Sequence, residues 1–117
     1  MAQPIIIFDA VNAASDRNSI WIDLGEEASF SLGVAFTGTD VAGNLSLQAC
    51  ISSSDPNVVA PLVVATIEDS TVAVSNSDEV MYSNQQAGYR WVRVVWDYTS
   101  GTGNMTAMVQ IKTPRRY

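Results

Sequence analysis

The chain has 117 residues, of which 47% are hydrophobic, and a formal net charge of −6. This size and composition fit one globular domain with its own core. The chain contains no histidine and a single cysteine, so we expect no Ser-His-Asp triad, no internal disulfide, no metal site and no bound cofactor. The acidic balance argues against nucleic acid as a partner, and no apolar run approaches the roughly 18 residues of a membrane span.

The first predicted element is an N-terminal arm or edge strand within residues 1–18. Ile5–Phe8 is a four-residue apolar strand, and the polar stretch Asn12–Asn18 separates it from the rest of the chain. Such a strand pairs at the edge of its own sheet or adds to the sheet of a neighbouring subunit. The sequence leaves both placements open.

Residues 19–117 are predicted to form a single all-β domain, because apolar and polar residues alternate along most of this segment. We predict strands at Ser19–Leu24, Ala28–Phe36, Asn44–Ser52, Leu62–Ile67, Thr71–Val74, Glu79–Tyr82, Tyr89–Tyr98 and Asn104–Lys112. The alternation places Ile20 and Ile51 on the inward faces of their strands. Residues 99–103 contain two glycines and predict a hairpin turn that pairs the last two strands. About seven or eight short strands indicate an antiparallel β-sandwich of the jelly-roll type.

The strand predicted at residues 89–98 carries apolar side chains on both faces. One face includes Trp96 and is expected to join the core. The other face holds Trp91 and Arg93 and is too apolar to be freely solvated, so we expect either a loop of this chain or another subunit to cover it. Cys50 is out of phase with the apolar residues of its own strand, and we interpret it as a small structural side chain under a covering loop.

The charged residues are divided unevenly along the chain. Residues 1–89 hold eleven acidic residues and one basic residue, whereas residues 90–117 hold five basic residues and one acidic residue. An acidic body with a basic end attracts copies of itself, or an acidic partner, head to tail, so we expect a homo-oligomer. The predicted interface residues are Ile5, Ile6, Ile7 and Phe8 in the arm, Trp91 and Arg93 on the long strand, and Arg115, Arg116 and Tyr117 at the C-terminus.

Several segments resemble small β-sandwich structural proteins of tailed bacteriophages. The resemblance rests on the run Ala87–Val94, on the turn Tyr98–Gly103 and on the alternating strand Met105–Lys112. Upstream, Leu45–Asp55 is similar to the strand and Ser/Asp loop that precede the same segment in that group. The chain departs from the group just after this loop, where Pro56–Val59 contains no aromatic residue, and this puts a ligand-binding role for the loop in doubt.

The resemblance implies a non-enzymatic virion protein. The role it implies is a capsid decoration or cement protein on the capsid surface, made in the host cytoplasm, that bridges neighbouring shell subunits. Its partners are then the major capsid protein or other virion subunits. Tail and fibre accessory proteins share the pattern and stay open as an alternative.

The residues themselves leave two other functions open. A carbohydrate-binding module could use Trp21, Trp91 or Tyr82 as a stacking surface for sugars. A small glycosidase could pair Asp23 with Glu26 or Glu27, but a chain of this length leaves little room for both a cleft and a core.

Overall fold

The computed structural model describes residues 5–24, 29–86 and 90–112, with only the backbone described at residues 84–86 and 112. The described residues form ten strands: β1 Ile5–Asn12, β2 Arg17–Asn18, β3 Ile22–Asp23, β4 Ser29–Phe36, β5 Ala42–Cys50, β6 Val64–Thr66, β7 Val72–Val74, β8 Val80–Gln86, β9 Trp91–Ser100 and β10 Asn104–Lys112. No helix in this part of the chain is long and apolar enough to cross a membrane.

The strands form two antiparallel sheets. The first sheet has the order β1-β10-β4-β8, and the second has the order β2-β9-β5-β6, in which β3 also pairs with β9 and β7 also pairs with β5. Because β2 and β3 share one side of β9, and β6 and β7 share one side of β5, the ten segments fill eight strand positions. In chain order these positions read 1-8-3-6 and 2-7-4-5, which is the jelly-roll arrangement. The predicted all-β antiparallel sandwich is confirmed.

The core lies between the two sheets and follows the predicted alternation. The side chains that the four central strands bury between the sheets are Phe30, Leu32 and Val34 on β4, Leu45 and Leu47 on β5, Val92, Val94 and Trp96 on β9, and Met105, Ala107 and Val109 on β10. The Trp96 indole is fully buried, donates its Nε1 proton to the Ala13 carbonyl at 2.8 Å and packs at 5.0 Å from the ring of Phe36. These contacts fix Trp96 at the centre of the sandwich.

The predicted hairpin between the last two strands is wrong. β9 pairs with β5, whereas β10 pairs with β4 and β1 in the opposite sheet. The connection therefore turns a corner between sheets, with Gly101 at φ +89°. Its position is held by the neighbouring loop, where Asp40 Oδ1 accepts a proton from the Thr102 amide at 3.2 Å. A glycine-rich turn between two strands of alternating apolar and polar residues can form a hairpin within one sheet or a connection between two sheets. The pattern therefore did not identify which strands pair.

Residues 5–18 are built into both sheets. β1 pairs along β10 from Ile5 opposite Val109 to Asn12 opposite Asn104. Of the two predicted placements, the structure therefore shows the pairing of this strand at the edge of its own sheet. Residues 17–18 form β2 of the second sheet. The strand predicted at Ser19–Leu24 is shorter in the structure, where only Ile22–Asp23 is paired as a strand.

Two residues that the alternation placed inward are exposed. Ile20 lies in the interruption between β2 and β3, and Ile51 lies one residue past the end of β5. Side chains alternate between the inner and outer face only within a paired strand. Ile20 and Ile51 lie outside the paired strands, so their side chains do not face the core.

Candidate interaction surfaces

A second, smaller apolar cluster lies on the outer face of the β9-β5 sheet. It consists of Trp21, Cys50 and Trp91, and we refer to it as the outer cluster. Cys50 on β5 lies directly opposite Trp91 on β9. The Arg93 guanidinium stacks on the Trp21 ring at 4.5 Å and its Nε donates to Gln48 Oε1 at 2.9 Å. Such a cation–π contact stabilises a partly desolvated arginine over an indole face.

A loop of the same chain covers the outer cluster. The Trp91 Nε1 proton is donated to the Ser52 carbonyl at 3.3 Å. Trp21 donates its amide proton to Asn57 Oδ1 at 2.7 Å, and Asn57 Nδ2 donates to the Trp21 carbonyl at 3.0 Å. Asp55 Oδ1 in turn accepts from the Asn57 amide at 2.8 Å. Of the two covers predicted for Trp91, the structure shows the loop of the same chain. Asn57 holds this loop, because its side chain bonds to both the amide and the carbonyl of Trp21, as a neighbouring strand would.

Replacing Asn57 with alanine is expected to release this loop. Two hydrogen bonds to the Trp21 backbone are lost, which destabilises the fold by about 1–3 kcal/mol, and the outer cluster becomes accessible to water. The measurement is acrylamide quenching of tryptophan fluorescence, together with urea unfolding. Asn44→Ala, at an exposed position on β5, is the control; equal quenching of the two variants would contradict the assigned role of Asn57.

The loop presents its own apolar side chains to solvent. The exposed ones in residues 51–64 are Ile51, Val58, Val59, Leu62, Val63 and Val64, and we refer to them as the loop surface. Leu62 is 103% and Val58 80% exposed. Ile20, which precedes the loop-bound Trp21 in the chain, is exposed as well. Asp55 is the one charged residue among residues 51–64, so the loop surface is apolar and almost without charge.

A second apolar surface lies on the outer face of the β1-β10-β4-β8 sheet. Ile6, Met108, Gly33 and Met81 lie opposite one another across all four strands, and we refer to this face as the sheet face. It contains an open groove of about 590 Å³ along β4, where Glu79 is the one charged residue among the lining residues. Ile5, Ile6, Met81 and Met108 are the exposed large apolar side chains on or beside it.

All the exposed large apolar side chains among the described residues, except Ile5 and Ile20, belong to these two surfaces. Monomeric soluble proteins scatter such side chains singly, and contiguous patches mark interaction sites. The uneven distribution in this chain therefore identifies the loop surface and the sheet face as its candidate interaction surfaces.

The charged and ionisable groups near the outer cluster have structural partners. Arg90 forms a two-pronged ion pair with Asp23, with both N–O distances 3.0 Å, and its guanidinium lies 5.3 Å from the Trp91 ring. Burial raises the pKa of the Cys50 thiol, against a smaller opposing effect of the Arg93 charge. A thiol with a raised pKa stays protonated and is a poor nucleophile, which agrees with the structural interpretation of Cys50.

The residues predicted for sugar stacking are all buried. Trp21 is 6%, Trp91 7% and Tyr82 6% exposed, and the Tyr82 hydroxyl donates to the Ser70 carbonyl at 2.8 Å. These three side chains do not form a stacking platform on the surface. Of the predicted glycosidase carboxylates, Asp23 binds Arg90, while Glu26 and Glu27 lie outside the described residues.

The buried tyrosine makes stability depend on alkaline pH. Burial raises the pKa of Tyr82 to about 12. Because ionisation is harder in the folded state than in the unfolded chain, the stabilisation is complete below pH 10 and is lost as the pH rises from about 10 to 12, to a total of about 2–3 kcal/mol. Urea unfolding at pH 8 and pH 11.5 measures the loss. Tyr82→Phe should lose less stability over the same range, and an equal loss would contradict this assignment.

The predicted interface residues are divided among several environments. Ile5 and Ile6 are exposed at the edge of the first sheet, whereas Ile7 and Phe8 belong to the main core. Trp91 is in the outer cluster, and Arg93 is partly exposed beside it. Arg115, Arg116 and Tyr117 lie outside the described residues. The loop surface was not predicted from the sequence. The strand predicted at Leu62–Ile67 is shorter in the structure, where β6 is Val64–Thr66, so Leu62 and Val63 belong to the loop. The signal that could have identified the loop surface is the apolar pair Val58-Val59 between Pro56 and Pro61.

In the part of the chain that the structure describes, no three His, Cys, Asp or Glu residues are grouped closely enough to hold a metal ion. No protein family matches the sequence, and no curated protein is significantly similar to it.

Proposed function

We propose that this protein is a non-enzymatic structural component of a bacteriophage virion, namely a capsid decoration protein that links neighbouring subunits on the outside of the shell. A linking protein must contact two neighbours at once, so it needs two contact surfaces that face different directions. The observation that carries the proposal is the placement of the exposed apolar side chains on two surfaces, the loop surface and the sheet face. The jelly roll, a fold used by viral capsid domains, and the phage resemblance support it further.

The two surfaces lie on opposite sides of the sandwich. On β9, Trp91 and Arg93 point outward under the loop, while Val92 and Val94 point into the core. On the other sheet, Met108 points outward and Val109 points into the core. A protein attached in many copies can use two modest surfaces of this kind, because attachment at several points multiplies weak affinities.

Particles made with and without the chain test this function. We expect particles produced without it to break at a lower temperature, and purified protein added back to co-sediment with them and restore their heat resistance. Particles of equal heat resistance that bind no added protein would overturn the proposal.

A further inference from the structure

We propose that the peptide bond between Leu62 and Val63 is a proteolytic processing site, cut by an endopeptidase whose primary pocket accepts a large aliphatic side chain. In this step water adds to the Leu62 carbonyl carbon and the bond to the Val63 nitrogen breaks. The products are a carboxylate on Leu62 and an amine on Val63. The site is a property of the isolated chain and does not depend on the proposed virion function.

The backbone around this bond is accessible and loosely held. Leu62 is fully exposed, and its neighbours Val59 and Val63 are 57% and 71% exposed. The backbone of residues 60–62 makes no hydrogen bond to another described residue. Proteolytic cuts concentrate in exposed loops whose backbone is neither buried nor hydrogen-bonded, so this segment meets both conditions.

The side chain of Leu62 is the best suited of the exposed apolar side chains to enter a primary pocket. Among the exposed large apolar side chains of the described residues, only Leu62, Met81 and Met108 are not branched at Cβ. Branching at Cβ stiffens a side chain close to the backbone, which hinders entry into a deep pocket. Met81 and Met108 lie within paired strands of the first sheet, so Leu62 is the one that lies in a loop.

The residues before the bond favour the shape in which endopeptidases bind their substrates. A bound substrate is an extended strand that pairs with an edge of the enzyme. Pro61 fixes its own φ at about −65° and restricts Ala60, the residue before it, to an extended conformation. The segment from Val59 to Leu62 therefore needs little rearrangement to enter such a cleft.

The residues after the bond can detach at low cost. β6 is a three-residue strand with all its side chains exposed, and it pairs at the edge of the second sheet. An endopeptidase cleft holds residues on both sides of the bond, so β6 must leave β5 for a short time. Opening a short exposed edge costs much less than global unfolding, and the rate of cutting follows the population of the opened form.

A cut at this bond leaves the sandwich assembled. It divides the chain into residues 1–62, which include β1 to β5, and residues 63–117, which include β6 to β10. β5 pairs with β9, and β4 lies between β10 and β8, so each sheet contains strands of both fragments. The cut therefore alters the loop surface, one of the two candidate interaction surfaces, and leaves the sheet face intact.

Limited digestion of the folded full chain with chymotrypsin, whose primary pocket is a hydrophobic slot, tests the site. Mass spectrometry of the denatured products identifies the first bond that is cut, and gel filtration in native buffer follows the fragments. We expect the first cut after Leu62, with both fragments eluting together at the position of the uncut chain. A first cut elsewhere, fragments that separate, or resistance at an enzyme concentration that digests the urea-unfolded chain would overturn the proposal.

Leu62→Asp and Ile51→Asp form a matched pair of variants. Both residues are exposed in the same loop, so both variants are expected to fold, which circular dichroism checks. Leu62→Asp should slow the cut at this bond by at least about tenfold, the usual discrimination of a hydrophobic pocket, whereas Ile51→Asp should be cut as fast as wild type. Equal rates for the two variants would contradict the assigned role of Leu62. The digestion involves no shell, so its failure leaves the proposed virion function to be judged separately.

Discussion

Replacing Gly43 with alanine is expected to destabilise the fold by at least about 3 kcal/mol, the upper part of the range for overpacking a core. A Cβ at this position would lie 2.3 Å from the Asp97 carbonyl oxygen and 2.5 Å from Cη2 of Trp96. Neither atom can move away easily. The Asp97 carbonyl is backbone of the paired β5-β9 ladder, and the Trp96 indole is fully buried and bonded to Ala13.

The matched control is Gly33→Ala on β4. Its Cβ would meet only the terminal methyl and sulfur of Met81, at 3.3 and 3.7 Å, and this exposed side chain can rotate away. We expect a change within about 0.5 kcal/mol, as for ordinary surface substitutions. Urea unfolding of both variants measures the difference, and equal losses of stability would contradict the packing described around Trp96.

Replacing Trp91 with alanine is expected to destabilise the isolated monomer by about 3–5 kcal/mol, the usual cost of removing a buried tryptophan. The side chain packs with Trp21 and Cys50, lies near the Arg90 guanidinium and donates a hydrogen bond to the loop at Ser52. Because all these contacts lie within one chain, the loss of stability should be independent of protein concentration.

Leu62→Ala is the control for Trp91→Ala, because Leu62 lies in the same loop region but is fully exposed. We expect it to change the free energy of unfolding by less than about 0.5 kcal/mol. The comparison uses urea unfolding at two protein concentrations, both low enough to keep the chain monomeric. A Trp91→Ala variant as stable as wild type under these conditions would contradict the burial of Trp91 under the loop of its own chain.

The fold was largely predictable, because most of its strands have one face in the core. On β4, Phe30, Leu32 and Val34 alternate with small residues, and this period of two identifies the inward face without further information. The partner of each strand was not predictable in the same way. Both β9 and β10 present an inward face whether they pair with each other or lie in opposite sheets, so the corner at Gly101 was mistaken for a hairpin.

The candidate surfaces were predictable only in part. The apolar character of Trp91 and its neighbours required a cover, which the structure supplies through the loop. The identity of that cover depends on Asn57 and Trp21, which are 36 residues apart in the chain, and no local pattern relates them. The sheet face could not be predicted from the sequence for a similar reason. The register of four strands alone makes neighbours of Ile6, Met108, Gly33 and Met81.

The most direct test of the proposed function is the copy number of this chain in purified phage particles. Particles are collected from a lysate of the host strain that carries the gene, and the chain and the major shell protein are quantified together by mass spectrometry with labelled reference peptides. A decoration protein that links shell subunits should be present in a number of copies of the same order as the shell protein. Its absence from the particles, or a few copies confined to the tail, would contradict the account.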